Sequence, residues 1–530
     1  MAILRQQTKT SGTMTYRFIR NKMNFHSFIL VLLIKCLAII ISCITLSSIA
    51  YAYDLEKKVQ KFTLHNGLTV LIVERHISPT VSCFIRYRVG AVDEDSKYTG
   101  TAHFLEHMLF KGTKTIGTKN FAEEKKILDK LHGVINSLDA ERIKGKQGNY
   151  QKIEELNRQR ESLEQKARKF IVENEIDRLY TENGGVAMNA ATGYDVTTYF
   201  VNLPSNKIEL WARIESDRMH NPVFREFYSE RNVVIEERRQ SVEARPDRKL
   251  MELFLATAFQ IHHYRRPILG WASDMPFLNL DYMKYFFKKY HAPNNTVIAI
   301  VGDVSSDNVI RIIEKYFGNI PAQKICSTHL SEEPAQNGER RIELVSDANP
   351  QIIMGYHKPT LPSHDDYVFD IIDTILSHGR ASRLYKALVQ EKGIAQRVDI
   401  GNGYPAARYP NLFIISAAPR FPHTNKELED AIYEEIERLK SVPVSREELE
   451  KAKNQIKADF LRGLSSNLGI ASMISYYEVI AGDYRYITNQ IKIIDTITAE
   501  DILRTANKYL NPENRTVALL VQKINRPMKQ

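Results

Sequence analysis

The stretch TAHFLEHMLFKGT, residues 101–113, decides how this chain is interpreted. It places His103, Glu106 and His107 within one short segment. On an α-helix, residues four positions apart lie on one face, one turn above the other, so both imidazoles can reach a single metal ion. Glu106 is displaced around the helix, where a carboxylate can act as a base. The pattern predicts a zinc site, because zinc accepts histidine and carboxylate ligands and keeps one position for water.

The third zinc ligand must come from another segment, and the best source is the helix-like SERNVVIEERRQSVE, residues 229–243. It offers Glu230, Glu236, Glu237 and Glu243. Glu230 and Glu237 are seven positions apart and share a helix face, so spacing alone does not choose between them. An ordinary helix is the alternative to a metal site, because a histidine can also serve a simple polar contact.

The composition indicates a folded protein without a nucleic-acid surface. The protein has 530 residues, 43% hydrophobic and 26% charged, enough for two to four domains. Its net charge of +10 includes six basic and no acidic residues from positions 1–52; without them, 67 basic residues face 63 acidic ones, a net of +4. Of the four cysteines, Cys83 and Cys326 lie outside that segment, so no disulfide framework is expected, and a bridge between these two stays open.

The N-terminal segment predicts export. Basic residues precede a long apolar run, which Lys35 divides into two pieces, each shorter than the roughly 20 apolar residues of a membrane-spanning helix. Residues 50–52, Ala-Tyr-Ala, fit a signal peptidase site. We expect a signal peptide over residues 1–52, cleavage near Ala52, a periplasmic location and no stable membrane span afterwards. An uncleaved anchor is the alternative.

The remaining sequence predicts an α+β fold with two homologous halves. Strand patterns such as FTLHNGLTVLIVER, with a hairpin signal at Asn66-Gly67, mix with helical ones without strict alternation. KYHAPNNTVIAIVGDV from Lys289 is echoed by KYLNPENRTVALLVQKI from Lys508, although helix–turn–strand endings can also agree by chance. The predicted domains are 53–322, a linker over 323–340, and 341–530.

A charged segment of the first half predicts a helical insertion. Between about residues 123 and 184, apolar residues recur at helical spacing in two runs that KGKQGN separates. This indicates an exposed antiparallel helical hairpin. A solvated insertion without a catalytic role and a lid or docking surface are the two interpretations that remain.

Several ordered motifs resemble one family. HFLEHMLFKGT, with the preceding GAVDEDSKYTGTA, resembles the inverted zinc motif of the pitrilysin/insulinase metallopeptidases, which include the mitochondrial processing peptidases. NAATGYDVTTYF resembles their substrate-binding edge strand, ERNVVIEE their third-ligand helix, and YHAPNNTVIAIVGDV the end of their first homologous domain. The likeness runs from about Phe62 to Val521.

The resemblance implies a zinc endopeptidase with one Zn²⁺ per chain. It assigns the metal to His103, His107 and Glu237, and the role of general base on zinc-bound water to Glu106. Glu230 matches an acidic residue that supports the catalytic site without being a zinc ligand.

The same resemblance implies how substrate is held. Asn189 and Ala190 match the edge-strand positions that bind an extended peptide. The family fold is a clamshell of sheets covered by helices around a chamber, so the implied substrates are peptides or unfolded protein segments.

One departure concerns assembly. The family has an Arg and a Tyr, seven residues apart, in its C-terminal half, and the matching stretch SRLYKALVQEKGIAQRV has Val389 and Gln396 there. Two-chain members place the pair on the other subunit. We therefore expect a homologous second subunit, as a heterodimer or a homodimer. The competing function is a non-catalytic or weakly catalytic binding subunit of a peptidase-like complex.

Overall fold

Alternating apolar residues build a six-stranded sheet in the first half of the protein. The computed structural model describes residues 55–325 and 330–523, so the predicted signal peptide and Cys326 lie outside the described residues. The strands are β1 Gln60–Thr63, β2 Thr69–Glu74, β3 Thr80–Tyr87, β4 Val186–Thr192, β5 Thr197–Pro204 and β6 Thr296–Gly302. Their order is β1-β2-β6-β3-β5-β4. The predicted hairpin joins β1 to β2, and Gly67 at its turn has φ 84°, which favours glycine.

A second sheet of five strands repeats this topology. Its strands are β7 Arg340–Ser346, β8 Gln351–Lys358, β9 Ala395–Tyr404, β10 Asn411–Pro419 and β11 Arg515–Gln522. The order β7-β11-β8-β10-β9 reproduces β2-β6-β3-β5-β4 strand for strand. Each sheet has one parallel pair, β2 with β6 and β7 with β11, and the other pairs are antiparallel. The prediction of an α+β fold with two homologous halves is confirmed, and the echoed segments form β6 and β11.

Helices cover both sheets. In the first half they are α1 Thr101–Leu109, α2 Phe121–Ile143, α3 Tyr150–Arg168, α4 Glu175–Glu182, α5 Ile208–His220, α6 Phe227–Arg238, α7 Pro246–Ala258, α8 Leu280–Tyr290 and α9 Ser306–Phe317. In the second half they are α10 His364–Ser377, α11 Asn425–Ser441, α12 Arg446–Gly463, α13 Asn467–Ala481, α14 Tyr486–Thr496 and α15 Ala499–Tyr509. None of these described helices has the length and apolar character needed to cross a bilayer.

The helical insertion is a hairpin of α2 and α3. The two helices pack against each other, and a bridge between Thr118 and Ile171 closes the base of the hairpin. At its tip, the buried carboxylate of Glu141 accepts hydrogen bonds from Lys144 at 3.0 Å and Lys152 at 2.8 Å. The hairpin therefore leaves and rejoins the sheet domain at one place, which is why an insertion there leaves the order of the strands unchanged.

In each half, one helix packs on the sheet of the other half. Helix α7 of the first half packs on β11, β7 and β8 of the second sheet, and α13 of the second half packs on β6 and β3 of the first. At one contact, Arg340 donates to the carbonyl of Ala258 at 2.5 Å; at the other, Arg86 donates to the carbonyl of Ser472 at 3.2 Å. Because each sheet needs a helix of the other half to cover its apolar face, the described residues from Lys58 onward form one compact unit.

A buried ion cluster joins the halves at a third place. Arg408, from the loop after β9, donates to both carboxylate oxygens of Asp93 at 2.8 Å. The backbone N–H groups of Ala407 and Arg408 donate to Asp195 at 3.0 and 2.7 Å, and the Tyr264 hydroxyl donates to the same carboxylate at 2.8 Å. Burial raises the pKa of both aspartates, and Arg408 opposes that rise.

Candidate metal centre

Helix α1 is fixed at its start by a buried carboxylate. Gly100 precedes the helix with φ 91°, and the two oxygens of Glu94 accept the backbone N–H groups of Gly100 at 2.8 Å and Ala102 at 2.7 Å. Phe104, Leu105 and Met108 are buried beneath the helix. The opposite face, with the three polar residues of the motif, is therefore held away from this core.

Burial raises the pKa of Glu94 to about 8, so the carboxylate is ionised at pH 9. At that pH, replacing Glu94 by glutamine should lower the free energy of unfolding by about 1–3 kcal/mol, because the amide group accepts only one of the two buried N–H groups and leaves the other unpaired. Urea denaturation measures the effect. Glu182→Gln, at the exposed end of α4, is the matched control. Equal stability of the two variants would contradict the capping role of Glu94.

The structure brings His103, His107 and Glu237 together. One ligand atom from each lies within 4.8 Å of the others, and no other such group of three occurs among the residues that the structure describes. Glu237 Oε2 lies 3.4 Å from His107 Nε2, and Glu237 Oε1 lies 3.8 Å from His103 Nε2. Ligands at 2.0–2.2 Å from one tetrahedral zinc ion are separated by about 3.3–3.6 Å. The donor types therefore fit zinc, and the separation of Glu237 from His107 already lies in this range, whereas that of Glu237 from His103 is slightly longer.

Glu230 occupies a different place from Glu237. Its Oε1 lies 3.0 Å from Nδ1 of His107, and its Oε2 lies 2.7 Å from the ammonium group of Lys111. The hydrogen bond to His107 lowers the pKa of Glu230 to about 2. A carboxylate on Nδ1 fixes the ring so that Nε2 points towards the other two candidate zinc ligands. Glu230 thus faces Nδ1 of His107 and Glu237 faces Nε2, a difference that helix spacing does not show.

The two histidines have different electrostatic environments. Burial lowers the pKa of His103 to about 4, so this imidazole is neutral at physiological pH, the form that binds metals. The Glu230 carboxylate raises the pKa of His107. The His103 Nδ1 atom is buried without a hydrogen-bond partner among the described residues.

Glu106 lies beside the three candidate zinc ligands. It is held in place by Thr192, a residue that sequence reasoning missed. The hydroxyl of Thr192, at the end of β4, donates to Glu106 Oε2 at 2.6 Å. Burial raises the pKa of Glu106, a change that makes a carboxylate a better proton acceptor. Thr192 belongs to the quoted NAATGYDVTTYF segment, yet nothing in its spacing points to Glu106, because the contact joins residues 86 positions apart.

Asn189 and Ala190 lie on the edge strand of the first sheet. Strand β4 pairs on one side with β5, where Asn189 is opposite Phe200 and Ala190 opposite Tyr199. It is the last strand in the sheet order, so its other side can accept an added strand. Thr192, the last residue of this edge strand, contacts Glu106.

His103 and Glu237 open into a cavity of about 450 Å³ that is lined mainly by residues of the first half. His103, Glu237 and Thr192 line one end, and Tyr404 from β9 contributes from the second half. Val389 packs against the core of the second sheet and Gln396 is exposed. The described residues that line this cavity include neither of them.

Comparisons with known proteins place these features in one family. The model for "Insulinase (Peptidase family M16)" matches residues 69–137 and 166–271, and the model for "Peptidase M16 inactive domain" matches residues 278–456. The gap between 137 and 166 falls in the α2–α3 hairpin. The zinc protease PqqE of Helicobacter pylori is 26% identical over 484 residues, covering 90% of this chain and 96% of that protein.

Solved structures share the fold. The crystal structure of a protease from Helicobacter pylori aligns with a TM-score of 0.73 and 25% identity, covering 88% of this chain and 99% of that one. The periplasmic protease PqqL from Escherichia coli aligns with a TM-score of 0.63 and 16% identity, covering 88% of this chain but 47% of that one. The present fold therefore corresponds to about half of the longer structure.

Proposed function

The protein belongs to the insulinase (M16) peptidase family, and on that premise we propose that it is a zinc-dependent endopeptidase that cleaves peptides or unfolded protein segments. The observation that carries the proposal is the convergence of His103, His107 and Glu237 beside Glu106. An inert subunit has no need to keep a complete set of ligands together with a base.

Each residue of the site has a separate role in the proposed reaction. His103, His107 and Glu237 would hold one zinc ion, which supplies Lewis acidity to polarise the scissile carbonyl and acidify a water molecule. Glu106 accepts the proton of the attacking water and passes it to the leaving amine. Its Oε2 is occupied by the Thr192 hydroxyl, which leaves Oε1 for the proton. Glu230 holds the ring of His107 in place, and Asn189 and Ala190 on the β4 edge hold the extended substrate.

Zinc affinity should depend on Glu230 although it is not a ligand. In the Glu230→Gln variant we expect affinity to fall by about 10- to 100-fold, because the carboxylate no longer orients His107 or increases its basicity. Competition with a chromophoric chelator measures the constant. Glu236→Gln, on the same helix at a side chain that is 44% exposed, should bind zinc as the parent protein does. Equal affinities of the Glu230→Gln variant and the parent would show that Glu230 has no part in the site.

A homologous second subunit is part of the proposal. Val389 and Gln396 replace the Arg and Tyr that the family uses on the substrate, and those groups stabilise charge in the transition state. The alignment with 47% of the periplasmic protease PqqL supports a complete enzyme made of two such units. The same alignment and the N-terminal sequence support export to the periplasm.

A binding subunit with little or no turnover is the second candidate, and the absent Arg/Tyr pair favours it. The test is to isolate the mature protein from its native host, identify what co-purifies, and measure the zinc content and the cleavage of quenched fluorescent peptides. We expect one zinc ion in each copy, and cleavage that a chelator abolishes and added zinc restores. Zinc binding without cleavage, even with a homologous partner present, would favour the second candidate.

A further inference from the structure

The cavity that begins at His103 and Glu237 has an apolar wall and a rim of arginine residues. Arg245, Arg248 and Arg265 are among its lining residues and are called its rim below. The wall is formed by Met251, Leu255, Ile268 and Leu269. Three arginines around one cavity of about 450 Å³ attract an anion unless neighbouring carboxylates compensate them.

The acidic groups of this region are already engaged. Glu252 accepts hydrogen bonds from Arg238 at 2.7 Å and Lys249 at 2.5 Å. Glu237 faces the two histidines. Asp247 accepts two hydrogen bonds from Arg245, at 3.1 and 3.0 Å, so Arg245 is the one compensated arginine of the described rim.

Arg248 and Arg265 have no such partner. Arg248 is exposed in the first turn of α7, and Arg265 donates to the carbonyl of Gln260. In the part of the protein that the structure describes, neither forms an ion pair with a carboxylate. Two cationic groups thus face a cavity that begins at His103 and Glu237, next to the end of the β4 edge at Thr192.

We propose that this cavity binds a carboxylate of the peptide substrate through Arg248 and Arg265, and so directs cleavage to bonds near an acidic side chain or near the C-terminus of the peptide. The inference rests on the proposed function, because a peptide on the β4 edge passes Thr192 and enters the cavity. Guanidinium groups bind carboxylates through paired, charge-assisted hydrogen bonds. The apolar wall accommodates the aliphatic part of the same residue.

The test measures binding apart from catalysis. Zinc-loaded Glu106→Gln protein is titrated by fluorescence anisotropy with labelled peptides in which one Glu is moved along a neutral sequence. Gln at the same position is the neutral isostere, and each peptide has a free or an amidated C-terminus. We expect a carboxylate at one position to bind about tenfold more tightly than its neutral counterpart. Arg248→Gln or Arg265→Gln should reduce this preference to about twofold or less.

Arg213→Gln is the matched control, because Arg213 is exposed on α5 and does not line the cavity. A preference that follows the Glu identifies a side chain as the source of the carboxylate, and one that follows amidation identifies the C-terminus; both support the subsite. No preference at all, or a preference that persists in both arginine variants, would overturn it.

The two proposals fail in different ways. If the active protein cleaves peptides without regard to carboxylates, the subsite is wrong and the peptidase function stands. If the Glu106→Gln protein discriminates as expected but the parent protein cleaves nothing, even with its partner, the subsite stands and the peptidase function is wrong.

Discussion

Replacing Glu106 by glutamine should abolish peptide cleavage while zinc stays bound. Glutamine keeps the size of the side chain and its carbonyl still accepts the Thr192 hydroxyl, which lies 2.6 Å from Glu106 Oε2. It cannot accept a proton from water. Because general-base catalysis contributes about 10²- to 10⁴-fold, we expect turnover to fall by at least this factor.

Zinc content by elemental mass spectrometry and turnover under saturating peptide together measure this result. Glu236→Gln removes the same charge from α6 at a side chain that is 44% exposed and should retain both zinc and turnover. If Glu106→Gln lost its zinc as well, Glu106 would have been assigned wrongly as the base. If the variant retained turnover, the proton would pass through another group.

Local periodicity was sufficient to predict the helix that places His103 and His107 on one face. His103 and His107 follow the helical repeat, and the apolar residues between them bury the other face, so one helix determines two of the proposed ligands. The same reasoning could not separate Glu230 from Glu237, because both lie on one face of α6. The structure separates them by their contacts with opposite nitrogens of His107: Glu230 faces Nδ1 and Glu237 faces Nε2.

Groups that act across the fold were beyond sequence reasoning. Thr192 meets Glu106, Tyr404 enters the cavity from the second sheet, and Lys111 pairs with Glu230. Each contact depends on how separate helices and strands pack, and a periodic pattern within one element does not predict that packing. The repeat of strand order was predictable in outline from one echoed segment, but the exchange of α7 and α13 between the halves was not.

The contact between the halves bears on function because Tyr404 of the second half lines a cavity that the first half otherwise forms. Tyr404 lies on β9, whereas His103 and Glu237 lie on α1 and α6. A change in the relative position of the sheets would therefore alter the cavity before it altered the proposed zinc ligands, which all belong to the first half. The buried ion pair between Arg408 and Asp93 is a polar contact that holds the two sheets in their relative position.

Replacing Arg408 by alanine should destabilise the protein by about 3–5 kcal/mol, because it leaves buried carboxylates without their cation. Arg408 is the guanidinium partner of Asp93 at 2.8 Å and lies 3.9 Å from Asp195. Urea denaturation followed by tryptophan fluorescence and circular dichroism measures the loss. Arg380→Ala, at an exposed position after α10, should change stability little.

A double-mutant cycle separates this ion pair from a general effect of truncation. In an Asp93→Asn background, Arg408→Ala should cost clearly less than in the parent protein, because one of the two carboxylates no longer needs compensation. If the cost were the same in both backgrounds, the ion pair between Arg408 and Asp93 would contribute nothing to the stability of the interface. Peptide binding should weaken in Arg408→Ala while zinc content stays at the parent value, since Tyr404 of the second half lines the cavity whereas the proposed zinc ligands all belong to the first half.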